Sequence, residues 1–419
     1  MPDRTIAPPF VKTSSFDLIN PEEKKLPNDV DVFFIPGGFQ DVLKIEVVFA
    51  AGRWFENKLA SAYFTAQLLP KGTQGKNSFD IAQIFDQYGA HLEISPGHDF
   101  VSVSLYALNK NLAPVLQLLI EILSTPIFPK KEFAQTRDVF IQNLKINNEK
   151  TSFVASQAFR KKLFGEQHPY GVEVEERDVK ALHISDFESH FTNFFHSPKI
   201  FVSGRIESSN KSLMLEKFHQ LRSGTKPLAV DCSITENPRY EYIHKRESVQ
   251  ASVRAGKGAL LRSHPDYVPL LFVSHILGGY FGSRLMKNIR EDKGLTYGIS
   301  ASVHAQKHAS YLVIGADVNK ENVDLTFEEI HKELKTLRTE TISSGELETT
   351  RNHFIGSLQS EITTPFAHAD KIKTIQLFGL QPDHYQKMIR RIDAITAAEI
   401  AETAERYFKE DSFIQVAVG

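Results

Sequence analysis

Thr136–Leu144 reads TRDVFIQNL, and Thr350–Leu358 reads TRNHFIGSL, at an offset of 350 − 136 = 214. KLFG at Lys162–Gly165 returns as QLFG at Gln376–Gly379, at the same offset. ALHISDFESHFTNFF from Ala181 returns as AITAAEIAETAERYF from Ala394, at an offset of 394 − 181 = 213. A short strand-like run follows each copy, IFVSG and then FIQVAVG. Three matches in one order at nearly one offset mark a duplicated domain rather than a solenoid. The seam falls in LRSGTKPLAVDCSITENPRY, Leu221–Tyr240, which is rich in turn formers and has little periodicity. This predicts a first domain over residues 1–220, a linker over 221–240 and a second domain over 241–419.

Within each half, strands and helices mix. VDVFFIPGGFQDVLKIEVVFAAG contains two strand candidates around the Pro36-Gly37-Gly38 turn. Leu43, Ile45, Val47 and Phe49 alternate with Lys44 and Glu46, the period of a half-buried strand. LAPVLQLLIEIL, Leu112–Leu123, suits a buried helix, with Asn109 or Asn111 as its cap. No regular βαβ rhythm is present. The expected fold is α+β: two homologous domains, each an antiparallel sheet with helices packed on one face.

Composition narrows the function classes. The chain has 419 residues, 41% hydrophobic and 24% charged, with a formal net charge of −2. That balance gives no reason to expect a nucleic-acid or membrane-surface partner. Cys232 is the single cysteine, so neither an internal disulfide nor a cysteine zinc cluster can form; its polar, linker-like setting reads as an ordinary thiol. MPDRTIAPPFVKTSSF lacks a signal-peptide pattern, and no stretch approaches the roughly 18 apolar residues of a membrane span, so the expected location is cytoplasmic.

The chemistry-bearing stretch is HPDYVPLLFVSHILGGYFGSRLMKNIREDKGLTYGISASV, His264–Val303. Leu270, Val273, Ile276 and Leu277 have helical spacing, and SRLMKNIRED reads as a second helix ending near Gly294. Tyr297 starts the next strand. Arg290 and Tyr297 thus stand seven apart across a helix end and a loop, offering donors for peptide carbonyls or a developing oxyanion. The plainer reading of the same spacing is a solvated arginine and a packed tyrosine.

This stretch resembles the C-terminal domain of the pitrilysin (insulinase-type) zinc metallopeptidases. Gly278-Gly279, Ser283-Arg284-Leu285, Arg290-Glu291 and Gly294-Leu295-Thr296-Tyr297 carry the likeness, with Gln250-Ala251 and His264-Pro265-Asp266 upstream. In the first half, GRWFENKLASAYFTAQLLPKGT and HPYG at His168–Gly171 also fit, so the resemblance covers nearly the whole chain. It implies that Arg290 and Tyr297 bind substrate opposite a zinc ion.

The family's metal motif is missing. His-x-x-Glu-His should precede Lys71-Gly72-Thr73; the two histidine positions fall on Tyr63 and Gln67, and the glutamate on Ala66. The third-ligand position falls on Asn143. His304 and His308, four apart in an expected hairpin turn, do not replace them, nor do His190 with His196 or His91 with His98. The resemblance therefore implies half of a clamshell: a chain inactive alone and without a cofactor of its own. Its partner would be a zinc-motif subunit in a heterodimer, or a second copy in a homodimer, and the pair would hydrolyse unfolded peptides. Two alternatives stay open, a scaffold subunit of the same fold and a self-sufficient peptidase with an unusual metal site.

Overall fold

The computed structural model describes residues 5, 16–224 and 240–419; Cys232 and most of the expected linker lie outside the described residues. The strands among them form two sheets. The first contains β1 (Glu22–Lys25), β2 (Asp31–Pro36), β3 (Val42–Phe49), β4 (His91–Pro96), β5 (Val101–Leu108) and β6 (Lys199–Gly204). The second contains β7 (Tyr240–Ile243), β8 (Gln250–Ala259), β9 (Thr296–Ala305), β10 (Ser310–Asn319) and β11 (Ile414–Val418). Their spatial orders are β1-β2-β6-β3-β5-β4 and β7-β11-β8-β10-β9. With β1 set aside, the two orders are the same path traced twice. In each sheet one pair is parallel, β2 with β6 and β7 with β11, and the other pairs are antiparallel. β2 and β3 flank the Pro36-Gly37-Gly38 turn without pairing, because β6 lies between them.

The helices repeat as well. The first half supplies α1 (Ser61–Leu68), α2 (Ser78–Gln87), α3 (Leu112–Ser124), α4 (Lys130–Asn148), α5 (Thr151–Phe164), α6 (Glu176–Lys180), α7 (Ile184–Phe194) and α8 (Ser208–Phe218). The second supplies α9 (Tyr267–Gly278), α10 (Val323–Thr339), α11 (Ser344–Ser360), α12 (Pro365–Phe378), α13 (His384–Ala394) and α14 (Ala397–Tyr407). The starts of α5 and α12 are offset by 365 − 151 = 214, and those of α7 and α14 by 397 − 184 = 213, the offsets seen in the sequence. Neither asparagine caps α3: Asn111 occupies the cap position with no side-chain bond into the helix, its Nδ2 donating to Tyr88 O, while Asn109 Nδ2 donates to Asp41 and Arg205 O.

Each half buries one sheet face under its own helices. Phe64, Leu116, Leu119, Phe187 and Met214 fill the first core; Leu270, Val273, Ile330, Ile400 and Ala404 fill the second. Phe16, ahead of the first strand, packs in the second core, its ring 5.4 Å from that of Tyr385.

The opposite faces are closed by exchange. α5 crosses to lie on β8 and β11, and α12 crosses to lie on β2 and β6. Under α5, Phe159 and Leu163 meet Tyr311, Ile414, Val416 and Val418. Gly256 on β8 makes room for this: a Cβ there would stand 2.6 Å from the Phe159 ring. Under α12, Ala369 and Ile372 meet Phe33, Ile35, Val48 and Phe201. Lys44 and Glu46, the polar face of β3, are 7% and 4% exposed. They are not solvated but paired: Lys44 Nζ lies 2.9 Å from Glu46, and Lys373 Nζ on α12 lies 2.7 Å from Glu46 and 3.0 Å from Asp370. The β9–β10 turn adds a further link, where Asp99 accepts from the Tyr170 hydroxyl and from Lys307 N–H at 3.0 Å. Because each half completes the other, the two are expected to unfold in one transition. Phe159→Ala should cost about 3–5 kcal/mol in urea denaturation, shifting the single midpoint rather than splitting it.

Candidate functional site

The site grows from the end of α9. Gly278 lets that helix abut β9, since a Cβ there would stand 2.5 Å from the backbone nitrogen of Ala301. The chain then turns through Gly279–Ser283 into a π-helical segment, Met286–Asp292, where the sequence suggests an ordinary helix. Widened turns of this type are rare and recur at functional sites. Three contacts hold this one. Arg284 bonds Glu346 through Nε and Nη2 at 2.8 and 3.1 Å. Asn288 Nδ2 donates to Glu329 and Glu333 at 2.9 and 2.7 Å. Lys293 Nζ donates to Asn288 Oδ1 at 2.6 Å and pairs with Glu329 at 3.1 Å. Gly294, at φ +63°, closes the turn, its N–H donating to Arg290 O at 3.1 Å.

This scaffold carries Arg290, half-buried, and Tyr297, exposed. The Arg290 guanidinium lies over the Phe281 ring, 4.5 Å from its centroid, and Phe281 is itself 61% exposed. Tyr297 is 94% exposed on β9, the edge strand of its sheet. The packed tyrosine of the plainer reading is therefore not what the fold contains. A guanidinium, an exposed phenol and a strand edge are each able to bond a peptide backbone.

Tyr63, Ala66 and Gln67 lie on α1 and Asn143 on α4, two helices that pack against each other. Tyr63 packs its ring 4.9 Å from Phe140 of α4 and 5.4 Å from Phe64. Burial pushes its phenol pKa up, away from the anionic form a metal needs. Ala66 is fully buried, and Gln67 Nε2 donates to Ile94 O at 3.5 Å. Asn143 is exposed on α4. The donors are one neutral phenol and two amides, with a methyl group where the base belongs. This set does not fit a zinc ion.

Residues 39–169 match the family described as Insulinase (Peptidase family M16), and residues 185–354 match the Peptidase M16 inactive domain. The chain belongs to the M16 peptidase family. A Bacillus subtilis relative named uncharacterized zinc protease YmxG is 20% identical, over 84% of this chain and 86% of its own length. A Helicobacter pylori relative named non-peptidase homolog YmxG is 20% identical, over 82% of this chain and 81% of its own length. Among solved structures, a peptidase M16 inactive domain from Pseudomonas fluorescens superposes with a TM-score of 0.88 at 20% identity, covering 96% of this chain and 98% of that one. A protease from Helicobacter pylori superposes with a TM-score of 0.87 at 18% identity, covering 96% and 100%.

The histidines of this M16 chain serve other ends. His308 stacks on Trp54 at 4.1 Å and His304 on Tyr311 at 4.8 Å, on either side of the β9–β10 turn. His190 donates to Ala51 O at 2.9 Å, and His196 to Asn193 O at 2.7 Å. The sequence reading passed over His275 on α9, whose Nε2 lies 3.1 Å from Nδ1 of His353 on α11. α9 and α11 repeat α1 and α4, but at the offset of 214 His353 answers Val139 and the Asn143 position falls on Ser357, so the pair does not reproduce the metal positions. Among the described residues no group of three or more His, Cys, Asp or Glu side chains is placed to hold a metal ion.

Three imidazoles are held neutral. Burial lowers the His98 pKa to about 4, the Arg53 and Arg160 charges adding to it. Burial alone lowers His190 to about 4, its bond to Ala51 opposing. Burial and then His353 lower His275 to about 4. Each unfolded imidazole gains its proton below about pH 6.5, while the folded one resists it. Their stabilisation is whole above that pH and is lost as pH falls toward 4. Denaturation midpoints measured between pH 7 and 4.5 should fall, and His190→Gln should flatten the slope by on the order of 2 kcal/mol over that range.

Proposed function

We propose that this chain is the non-catalytic, substrate-binding subunit of a two-chain M16 peptidase that cleaves unfolded peptides. The observation that carries the reading is Tyr297 exposed on an edge strand, with the half-buried Arg290 seven residues before it, in a chain whose expected metal positions hold Tyr63, Ala66, Gln67 and Asn143. The packing around the pair gives Tyr297 little structural duty. Its surroundings, by contrast, are braced by three ion-pair and amide contacts.

In this role the two chains close as halves of a clamshell, with the zinc supplied by the partner subunit. An extended peptide adds to β9 through main-chain bonds. The Arg290 fork holds a backbone carbonyl, and the Tyr297 hydroxyl donates to the oxygen that gains charge as the bond is attacked. The chain itself needs no cofactor, and a second copy in place of the zinc subunit would form a silent homodimer. A location in the cytoplasm suits a peptidase of unfolded chains, and no helix among the described residues is long and apolar enough to cross a membrane.

Peptidase assays on a mixed peptide substrate with Zn²⁺ test the reading. The chain alone should be inactive, and its mixture with a zinc-motif M16 subunit from the same organism active. Arg290→Ala/Tyr297→Phe should lower kcat/KM of the mixture by about a hundredfold, the scale of a lost oxyanion donor. Chelator-sensitive activity of the chain alone would overturn the inactive-site reading. Silence in every mixture would return the chain to a scaffold role.

A further inference from the structure

Beside the site, on the face of the second sheet opposite its helical core, lies a trough of about 350 Å³. α5 covers β8 and β11 but stops short of the edge, leaving the outer strands open on this side. Gly298, Ser300 and Ser302 of β9 and Gly315 of β10 line the opening with small side chains. Arg160 of α5 and Arg254 of β8 supply its charge. Gly298 follows Tyr297 on the same strand, so a peptide added to the β9 edge runs beside this trough on one face and beside Tyr297 on the other.

Among the described residues the two guanidinium groups are not matched by ion pairs. Arg254 donates through Nε to Ser156 Oγ at 3.1 Å, through Nη1 to Val253 O at 2.8 Å and through Nη2 to Ser152 O at 3.3 Å, all neutral acceptors. Burial lowers its pKa, the Asp317 charge opposing. Arg160 hydrogen-bonds the Tyr311 hydroxyl, and its charge adds to burial in holding His304 below the usual imidazole range. Asp317 also lines the trough, where it accepts from the Ser252 hydroxyl. Two fixed positive charges thus face one carboxylate already engaged. Half-buried guanidinium groups bonded to neutral oxygens leave an open demand for an anion.

We infer that this trough reads a carboxylate of the bound peptide, so that the subunit selects acidic peptides. The inference rests on peptide capture at β9 as proposed above. The carboxylate comes from an Asp or Glu side chain or from the peptide's free C-terminus, and both meet the same two arginines.

The test is fluorescence anisotropy with the full chain and labelled extended peptides of one length. One peptide carries glutamates, one has them replaced by glutamine, and each is made with a free and an amidated C-terminus. The glutamate or free-acid form should bind roughly tenfold tighter than its neutral twin, the worth of one charge-assisted bond, and the gap should narrow with salt. The arm that loses affinity identifies which carboxylate is held. Arg160→Gln should remove the preference while leaving the neutral peptide's affinity in place. Ser302→Glu, on the exposed rim, should do the same without touching the core. Equal affinity for acidic and neutral peptides would overturn the inference and leave peptide capture standing. A preference that survives both substitutions would overturn it too, by placing the contact elsewhere. Binding of neither peptide would overturn the inference together with peptide capture.

Discussion

Neither sheet of this protein can finish its own interior. Each half covers one face of its sheet with its own helices and lends one helix to the other half: α5 to the second sheet, α12 to the first. A helix laid on the remaining face removes apolar side chains from water on both partners, and the contribution scales with the area covered. The exchange also sets the chemistry of the covered surfaces. Lys44 and Glu46 project from β3 toward α12, and their burial is tolerable because Lys373 and Asp370 arrive with it. Such a group is strongly destabilising when one partner is removed, since the remaining charge is left dry.

The exchange also makes the site rigid in a particular way. α5 fixes the middle of the second sheet and leaves its edge bare. The open strand and the exposed Tyr297 lie beyond the reach of the borrowed helix, and the arginine-lined trough forms where that helix ends against the sheet. On the other face, the π-helical turn sets the direction of Arg290, and its bracing by Glu346, Glu329 and Glu333 ties it to α11 and α10. Binding groups held by a rigid frame lose little freedom when a ligand arrives. On the first half the same family position has gone the other way. Tyr63 and Phe140 close the space between α1 and α4 with rings, so the metal pocket has become packing.

Much of this was legible in the chain. The repeated segments at Thr136 and Thr350 revealed the duplication and its offset, because equivalent helices keep equivalent faces. Glycines and the alternation along Leu43–Phe49 placed turns and strands, since both patterns report local backbone geometry. The lost ligands at Tyr63, Ala66, Gln67 and Asn143 needed only residue identity. What failed did so for a common reason. Lys44 and Glu46 read as solvated because alternation cannot see a helix arriving from the other half of the chain. The π-helical turn read as ordinary helix because its widening depends on Asn288 meeting Glu329 and Glu333.

By itself, then, the sequence determined the two-domain plan and the family, both carried by residue type and local spacing. The tertiary structure alone decided which surfaces stay open. Tyr297 is exposed rather than packed because β9 is an edge strand, and strand order is a property of long-range pairing. Arg160 and Arg254 come from different halves of the chain. They share a trough because α5 crosses to the other half's sheet, a contact that no local pattern encodes.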